Sequence, residues 1–277
     1  MVGKLTSEPR RFHRLIGPDA ESVFEEPRHL WLALRDWQLG WRTQIGISID
    51  RSLKRSSVED FLGERANTAS PVAILLPGAW ERWEVLKPWA RALLEAGFDV
   101  RLLPEFDMQE GTLRELGDRL SDYLESNDLE DVVIVAHSKG GLVGKVALTG
   151  DQGWRIRRII SCGTPYQGAP IAHLSPARLN MRSLVPWNEE IVELAKKSEE
   201  NSRIIAIRAA WDQNVPSSLD LPGARIVTVP VTGHNRLLIA PKAARAIVEY
   251  ALDARGDQED DSDQSVTRMI EDSRPTK

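Results

Sequence analysis

The stretch DVVIVAHSKGGLVGKVAL, residues 131–148, determines how the rest of the chain is interpreted. An apolar run typical of a buried strand leads directly into His137, Ser138 and Lys139, and a pattern typical of a buried helix follows. Burying a hydroxyl that has no hydrogen-bond partner costs free energy. Ser138 is therefore either satisfied inside an ordinary turn or placed at this junction in order to react.

A reactive role is favoured by the small residues on either side of Ser138. In an open parallel sheet, chemistry collects at the carboxyl ends of the strands, where loops meet the N-termini of helices. A sharp turn at such an end lifts the serine clear of the sheet and requires small residues two positions before and after it, here Ala136 and Gly140. The spacing matches the nucleophile elbow, usually written G-x-S-x-G, with alanine in its first position. We predict that Ser138 is a nucleophile.

Strands and helices alternate along the chain from about residue 71 onward. The predicted strands are short and apolar on both faces: 71–77, 99–105, 131–136, 156–161, 203–209 and 224–229. The predicted helices are 83–97, 111–127, 140–149, 189–201 and 240–252. This alternation predicts an α/β domain with a mostly parallel central sheet of about six strands and helices on both faces. Residues 166–200 contain an unusually long connection, which predicts a lid-like insertion.

A serine hydroxyl needs a base beside it before it acts as a nucleophile at neutral pH. His234 is the candidate, because it follows the last predicted strand and therefore opens on the same sheet edge as Ser138. Gly233 directly before it allows a tight approach. The other histidines are assigned to the irregular front of the chain, to the long connection or, for the neighbour of the serine, to a structural role: His13, His29, His173 and His137.

The base in turn needs an acid that fixes its tautomer and stabilises its cation. Asp212 is the candidate, because it follows the predicted strand 203–209 at the carboxyl end. Asp220 in the same loop is its main competitor, and an ordinary turn-forming role for Asp212 is the alternative. The order Ser138, Asp212, His234 along the chain matches one of the known arrangements of a serine triad.

Two backbone amides are candidates for stabilising the negative charge that develops on a carbonyl oxygen under attack. One is the amide of Lys139, directly after the nucleophile. The other is the amide of Ala79, or alternatively of Trp80, in the loop LLPGAWERW after the first strand. Gly78 lets that loop turn, although a plain proline–glycine turn would have the same sequence.

Four segments resemble the α/β-hydrolase superfamily, and within it the esterase and lipase group: LLPGAW, AHSKGG, SCGTPYQGAP and WDQNVP…GARIVTVPVTGHNRLL. The resemblance covers about residues 70–253 and implies the α/β-hydrolase fold with a serine hydrolase activity on ester bonds. The residues that would carry this activity are, in the order nucleophile, acid, base and oxyanion-hole amides, Ser138, Asp212, His234, Ala79 and Lys139. Ala136 replaces a glycine of the pattern, and Pro77 stands where many lipases have a histidine.

The implied activity is cleavage of a small-molecule or lipid ester with an apolar acyl group, through an acyl-enzyme and without metal or cofactor. Trp80 and Tyr166 are expected to line the substrate pocket, with Trp83 and Trp187 nearby, although tryptophans are also ordinary core residues. Acyl transfer to another acceptor, thioester cleavage and a non-catalytic binding module with this fold are the alternatives. The sequence leaves open the acyl chain length, the alcohol, a calcium requirement and the oligomeric state.

Composition narrows the partners and the compartment. A net charge of −5 without a basic stripe argues against nucleic acid. The single cysteine, Cys162, cannot form an internal disulfide and fits a reducing compartment. Neither a signal peptide nor a run of roughly 18 apolar residues stands out, so a cytoplasmic location is expected.

Three regions are expected along the chain: residues 1–65 as an N-terminal helical or irregular segment, 66–254 as the hydrolase domain and 255–277 as a disordered acidic tail. Residues 29–49 place five apolar residues on one helical face: Leu30, Leu34, Trp37, Trp41 and Ile45. The favoured interpretation is a helix that packs its tryptophans on the sheet domain, although Gly40 and Gly46 weaken a helix. The alternative is a helix in the interface of a membrane, with Arg35 and Arg42 off its apolar face.

Overall fold

The computed structural model describes residues 27–53, 57–63, 71–170, 172, 181–215 and 221–253. Asp220, His13, His173 and the acidic tail lie outside these residues. Six strands are formed within them: β1 (Val72–Leu76), β2 (Asp99–Leu102), β3 (Val132–His137), β4 (Ile156–Cys162), β5 (Ile204–Trp211) and β6 (Arg225–Thr232). They make one sheet in the order β2-β1-β3-β4-β5-β6, in which every neighbouring pair is parallel. The predicted parallel sheet of about six strands is confirmed.

Helices connect the strands and precede the sheet. The α-helices of the described residues are α1 (Pro27–Ser52), α2 (Val58–Leu62), α3 (Lys87–Glu95), α4 (Leu113–Ser126), α5 (Lys139–Leu148), α6 (Glu189–Lys196), α7 (Arg236–Ile239) and α8 (Pro241–Leu252). Short 3-10 turns flank several of them, at Trp83–Leu86, Pro104–Gln109, Gly153–Arg155, Met181–Leu184 and Glu199–Arg203. Each predicted helix therefore has a counterpart, with 3-10 turns taking part of 83–97 and of 189–201.

The sheet carries a core on each face, because strand β3 in its interior is apolar from Val132 to Ala136. All six residues of β3 are buried. Val133 and Val135 belong to a core shared with α3 and α8, whereas Val132 and Ile134 belong to one shared with α4 and α5. Successive strand residues point to opposite faces, so a strand buried on both sides must be apolar at every position. The polar residues His137 and Ser138 therefore appear only at the carboxyl end of β3.

Within the N-terminal segment, Pro27–Ser52 form one continuous helix of 26 residues, α1, which runs through both Gly40 and Gly46. The prediction that its tryptophans pack on the sheet domain is wrong for Trp41, which is 65% exposed, and Trp37 is only half-buried. The physical reason is that α1 approaches the domain through a small and polar side. Ala33 and Asp36 are buried there, and Gly40 lies so close to Asn235 that a Cβ would come within 2.8 Å of its side-chain oxygen.

The long connection after β4 packs onto the core wherever it is described; residues 171 and 173–180 lie outside the described part. The Ala169 amide donates to the carbonyl of Leu184 at 2.7 Å, which closes this segment on itself. Leu184, Ile191 and Leu194 are buried in the same core as α4 and α5. The described part of the insertion therefore shares its apolar contacts with the sheet domain.

Candidate active site

Ser138 occupies the turn between β3 and α5 in a strained conformation. Its φ of +50° and ψ of −121° lie in a region that non-glycine residues rarely adopt, at a cost of roughly 1–3 kcal/mol. Hydrogen bonds hold the backbone there: its amide donates to the carbonyl of Cys162 at 2.9 Å, and Thr164 Oγ1 donates to the Ser138 carbonyl at 2.9 Å. The end of β4 thus fixes the turn that was predicted to present the serine.

The small residues around Ser138 are required by β1, the strand beside β3. A Cβ on Gly140 would come within 2.6 Å of the Pro77 carbonyl oxygen and 2.7 Å of that of Leu76. The backbone that requires a glycine at position 140 is therefore the end of β1 and the residue that follows it. A Cβ on Gly78 would lie 2.9 Å from the Ser138 Cβ, so the loop after β1 passes directly over the nucleophile.

His234 and Asp212 form a buried pair at the ends of β6 and β5. His234 Nδ1 lies 2.8 Å from Asp212 Oδ2, and the two side chains are 5% and 3% exposed. The other oxygen, Asp212 Oδ1, accepts the backbone amides of Asn214 at 2.7 Å and Val215 at 3.0 Å. Asp212 therefore makes both the turn considered as its alternative role and the contact to the histidine.

The pair changes the acid–base behaviour of His234. Burial alone would lower its pKa, but the charge of Asp212 and the hydrogen bond to it outweigh burial and raise the pKa to about 8. A carboxylate on Nδ1 leaves the second ring nitrogen, Nε2, as the position at which the neutral imidazole accepts a proton. The arrangement suits a general base that becomes a stabilised cation.

The end of β4 separates His234 from Ser138. A Cβ on Gly163, which has a φ of +62°, would lie 3.1 Å from His234 Cε1 and Nδ1, so the imidazole passes over a backbone with no side chain. Among the described residues, no hydrogen bond joins His234 to the Ser138 hydroxyl. Hydrogen bonds between catalytic groups are often long in free enzymes and tighten when substrate binds.

The backbone amides of Ala79 and Lys139 remain the candidate donors to a carbonyl oxygen under attack. The amide of Trp80, considered as the alternative to that of Ala79, already donates to the Met108 carbonyl at 3.2 Å. Ala79 follows Gly78 in the loop over Ser138, and Lys139 begins α5, where amides lack helical acceptors. The Ala79 amide is thus the better placed of the two donors in its loop.

The side chain of Lys139 ties the elbow to the loop after β2. It is 2% exposed, and Nζ donates to the carbonyls of Gln109 at 2.7 Å and Gly111 at 3.0 Å. Burial disfavours the charged ammonium and lowers its pKa to about 8, which Glu190 opposes. The same loop is tied to the loop after β1, because the Met108 amide donates to the Glu81 carbonyl at 2.6 Å.

Backbone strain is concentrated in these three adjoining segments. The described residues include six non-glycine positions with positive φ, and four of them lie here: Trp80, Met108, Gln109 and Ser138. Conformations of this kind persist only where the surrounding contacts over-determine them, and they cluster at functional sites. The strain therefore marks the same place as the motif does.

A second buried pair, Glu81 and His137, was not predicted as part of the site. His137 Nδ1 lies 2.8 and 2.9 Å from the two carboxylate oxygens of Glu81, and His137 Nε2 lies 3.3 Å from the His234 carbonyl oxygen. Glu81 also accepts the Gly78 amide at 2.6 Å. Burial alone would raise the pKa of Glu81, but the charge and hydrogen bond of His137 hold it below its ordinary value. The pair links the loop after β1, residues 77–82, to the loop after β6, residues 233–235. We call these the oxyanion loop and the histidine loop.

Asp36 of α1 also reaches the site, and the sequence analysis missed it. Its carboxylate is 1% exposed and accepts the backbone amides of Asn235 at 2.9 Å and Arg236 at 3.0 Å. It also accepts the side-chain amides of Gln213 at 2.7 Å and Asn235 at 2.9 Å. The only signal in the sequence is a lone acid among apolar residues of a helix, which is too common to indicate a site.

The predicted pocket residues differ in their surroundings. Trp80 is half-buried in the oxyanion loop, and Tyr166 is buried beside Thr164 and Asp212 on a cavity of about 30 Å³, room for about one or two waters. Trp83 is 2% exposed in the core, whereas Trp187 is 62% exposed. Within the described ranges, no group of three or more His, Cys, Asp or Glu side chains is arranged to hold a metal ion.

Comparison with known proteins agrees with this geometry. Residues 113–228 match the family model of the PGAP1-like alpha/beta domain. No curated protein sequence matches the chain. The family match covers less than half of the chain, and together with the sheet order and the turn at Ser138 it agrees with the α/β-hydrolase fold.

Solved structures with the same fold include lipases and a further hydrolase. The mature lipase BlEst2 of Bacillus licheniformis is 16% identical, with 68% of this chain and 93% of that chain covered and a TM-score of 0.50. A hydrolase from Oleispira antarctica is 13% identical, with 67% of this chain and 92% of that chain covered and a TM-score of 0.51. Lipase B of Aspergillus fumigatus is 14% identical, with 73% of this chain and 57% of that chain covered and a TM-score of 0.55. At these identities the likeness defines the fold.

Proposed function

We propose that the chain is a serine hydrolase that cleaves carboxylic esters with an apolar acyl group through an acyl-enzyme. The observation that carries this proposal is the strained Ser138 between β3 and α5, together with the buried His234–Asp212 pair that packs against Gly163 at the end of the neighbouring strand β4. A serine in an ordinary turn has no need of a conformation that costs free energy, nor of a buried imidazole with a raised pKa beside it.

The reaction begins when Ser138 Oγ attacks the ester carbonyl carbon. His234 Nε2 accepts the hydroxyl proton while Nδ1–H donates to Asp212, which stabilises the imidazolium and is itself held by two backbone amides. The amides of Ala79 and Lys139 donate to the oxygen that becomes negative. Because these donors belong to backbone that is fixed on both sides, little reorganisation accompanies the development of charge.

The tetrahedral intermediate collapses when the bond to the leaving alcohol breaks. His234 gives its proton to the alcohol oxygen, and Ser138 remains as an ester of the acyl group. A water molecule then attacks the acyl-enzyme, His234 accepts its proton, and collapse returns that proton to Ser138 Oγ with release of the carboxylic acid. Two half-reactions of the same form thus share one base.

A non-catalytic binding module is disfavoured by the cost of the site. A binding surface gains nothing from a serine with a strained, positive φ or from burying two carboxylate–histidine pairs behind it. Acyl transfer and thioester cleavage use the same first half-reaction and differ in the acceptor or in the leaving group. They are separated from ester hydrolysis by substrate comparison and not by the geometry of the triad.

The proposal is tested with p-nitrophenyl esters of graded acyl length and with a fluorophosphonate probe on the full chain. We expect ester hydrolysis and modification of one serine, which peptide mass spectrometry assigns to Ser138. Matched thioesters, and esters in the presence of an added alcohol, measure the competing activities. A chain that neither hydrolyses any of these substrates nor reacts with the probe would contradict the proposal, and acyl transfer faster than hydrolysis would replace it.

A further inference from the structure

The outward side of α1 is apolar although it faces solvent. Six of the twelve large apolar residues that stand exposed in the described chain lie on this one helix: Leu30, Trp31, Leu34, Trp41, Ile45 and Ile49, each between 51% and 65% exposed. We name these six residues the outer face of α1. Single exposed apolar residues are normal, but a contiguous set on one element marks an interaction surface.

The outer face follows one side of the helix for most of its length. Leu30, Leu34, Trp41, Ile45 and Ile49 are separated by four or seven residues, which keeps them within one stripe. At 1.5 Å per residue the stripe is about 29 Å long. The opposite side of α1 is already occupied, because Asp36 and Gly40 contact the histidine loop. The outer face is therefore available without displacement of the helix.

Basic side chains outnumber acidic ones around the outer face, where the exposed acid is Asp50 in the last turn of α1. Arg35 and Arg42 are exposed, and the Arg35 guanidinium lies 5.7 Å from the centre of the Trp31 ring. Between residues 28 and 49 the only acid is Asp36, and its carboxylate is buried on the other side. The exposed side of this stretch thus combines tryptophan, leucine and isoleucine with arginine. That combination suits a surface that is apolar beneath a negatively charged layer.

We propose that the outer face of α1 docks in the interface of an anionic lipid surface, with the helix lying parallel to it. A second copy of the chain fits less well, because a twofold pairing of α1 would place Arg35 and Arg42 against the same arginines of the partner copy. Among the described helices, none has the length and hydropathy of a membrane span. Docking of this kind would hold the candidate active site about one helix diameter, roughly 10 Å, from the lipid.

Vesicle co-sedimentation of the full chain tests this proposal. We expect binding to vesicles of phosphatidylcholine with phosphatidylserine, little binding to phosphatidylcholine alone, and weakening by added salt. Replacing both exposed tryptophans (Trp31→Ser with Trp41→Ser) should abolish binding, and Arg35→Gln with Arg42→Gln should remove its dependence on anionic lipid and on salt. The matched control is Trp154→Ser, because Trp154 is 59% exposed beside Arg155 but lies far along the chain from α1.

Two outcomes would overturn the proposal. One is a wild-type chain that binds neither kind of vesicle, or that binds equally well after both tryptophans are replaced. The other is a wild-type chain that is a dimer by light scattering and becomes a monomer in the tryptophan variant without having bound lipid, which would assign the outer face to a second copy. The variants alter solvent-exposed side chains, so folding is checked by an unchanged far-ultraviolet spectrum.

The inward side of α1 supports a second inference. It is independent of the lipid proposal but rests on the proposed function. All four donors that the Asp36 carboxylate accepts belong to residues beside His234 or Asp212: Gln213, Asn235 (twice) and Arg236. Gln213 passes the contact on, because its side-chain oxygen accepts the His234 amide at 3.3 Å. Asp36 thus holds the backbone on both sides of the imidazole.

We infer that Asp36 is a positioning residue for His234. Every partner of its carboxylate is a donor, so an amide in its place would set N–H against N–H and loosen the loop. The Asp36 charge also favours the imidazolium form of His234. Loss of the carboxylate therefore affects both the placement and the basicity of the imidazole, while the residues expected to contact substrate stay unchanged.

Asp36→Asn is compared with Asp50→Asn, an exposed acid of the same helix. We expect Asp36→Asn to lower kcat by about a hundredfold, the usual effect of a misplacement near 1 Å, with KM little changed. The rising limb of the pH–rate profile should move to lower pH, because the imidazolium has lost a stabilising charge. Asp50→Asn should leave the kinetic constants and the profile as in the wild type. If Asp36→Asn does not fold, Gln213→Ala cuts one connection and should lower kcat while the pH profile stays in place, because the Asp36 charge remains.

Titration of the His234 ring by NMR separates this inference from the proposed function. A wild-type chain with no hydrolysis and no probe labelling would contradict the function, yet a lower ring pKa in Asp36→Asn would still support the role of Asp36 beside His234. A wild-type chain that is active, combined with an Asp36→Asn variant that keeps the wild-type rate and titration, would overturn the inference and leave the function standing.

Discussion

Ser138→Ala is expected to lower the turnover of an activated ester by about a factor of 10⁶ and to abolish labelling by a fluorophosphonate. Loss of the nucleophile in a serine triad has an effect of this size, because no other group can form the acyl-enzyme. The residual rate would come from the oxyanion donors and from substrate binding alone. Single-turnover hydrolysis and probe labelling measure the effect.

Ser161→Ala is the matched control for this substitution. Ser161 is a fully buried serine of β4, two residues before Gly163, and its hydroxyl lies 3.5 Å from the Ile205 carbonyl oxygen. Its removal should leave labelling intact. In Ser138→Ala, the backbone at position 138 should keep its φ of +50°, so we expect no gain in stability from relief of strain. Labelling that persists in Ser138→Ala would mean that a different serine reacts and that the elbow is wrongly assigned.

Asp212→Asn is expected to lower kcat by roughly 10⁴, as in triads where the acid becomes an amide. The carboxylate oxygen 2.8 Å from His234 Nδ1 accepts a hydrogen bond from the ring, whereas an amide nitrogen there would donate one and favour the wrong tautomer. The other oxygen still has to accept two backbone amides, so the fold should persist. Steady-state kinetics and a melting curve measure the two effects separately.

The pH dependence gives this prediction a second readout. Only neutral His234 accepts a proton, so kcat/KM of the wild type should rise with pH through the raised pKa of about 8. Without the Asp212 charge, burial dominates, and the limb should move to lower pH. Stability has the opposite sign: the raised pKa contributes stability that is fully present below about pH 6.5 and is lost as pH rises through 8.

Asp220→Asn serves as the comparison, because Asp220 was the competing candidate for the acid. It should keep a turnover near that of the wild type. The reverse result, with Asp220→Asn inactive and Asp212→Asn active, would move the acid to Asp220 and give the Asp212–His234 contact a structural role.

The parts of the fold that were predicted from sequence depend on short-range patterns. Each buried strand is a compact apolar run, and β3 is apolar at its first five positions, so its end just before Ser138 was visible directly. His234 and Asp212 were found because the ends of parallel strands lie at one edge, which converts a sequence position into a place in the fold. These features could be predicted because the end of a strand in the sequence is also a defined position at one edge of the parallel sheet.

The parts that were missed depend on contacts between distant segments. Glu81 and His137 are 56 residues apart, and Asp36 and Asn235 are 199 apart, so no spacing rule connects them. The apolar stripe of α1 was recognised, but periodicity alone does not say whether such a face points to the domain or away from it. The direction was decided by one buried carboxylate, Asp36, whose four donors outweigh the usual preference for burying tryptophan.

The attachment of α1 to the histidine loop also sets an order of events during synthesis. The 199 residues that separate Asp36 from Asn235 take roughly 10–40 s to be made at typical rates of translation. Throughout that interval the first helix has no partner for its carboxylate and exposes both of its sides, so it is a natural target for chaperones. The histidine loop acquires its last support only when the end of the sheet returns to the beginning of the chain. Release of an incomplete chain would therefore yield a nucleophile without its base.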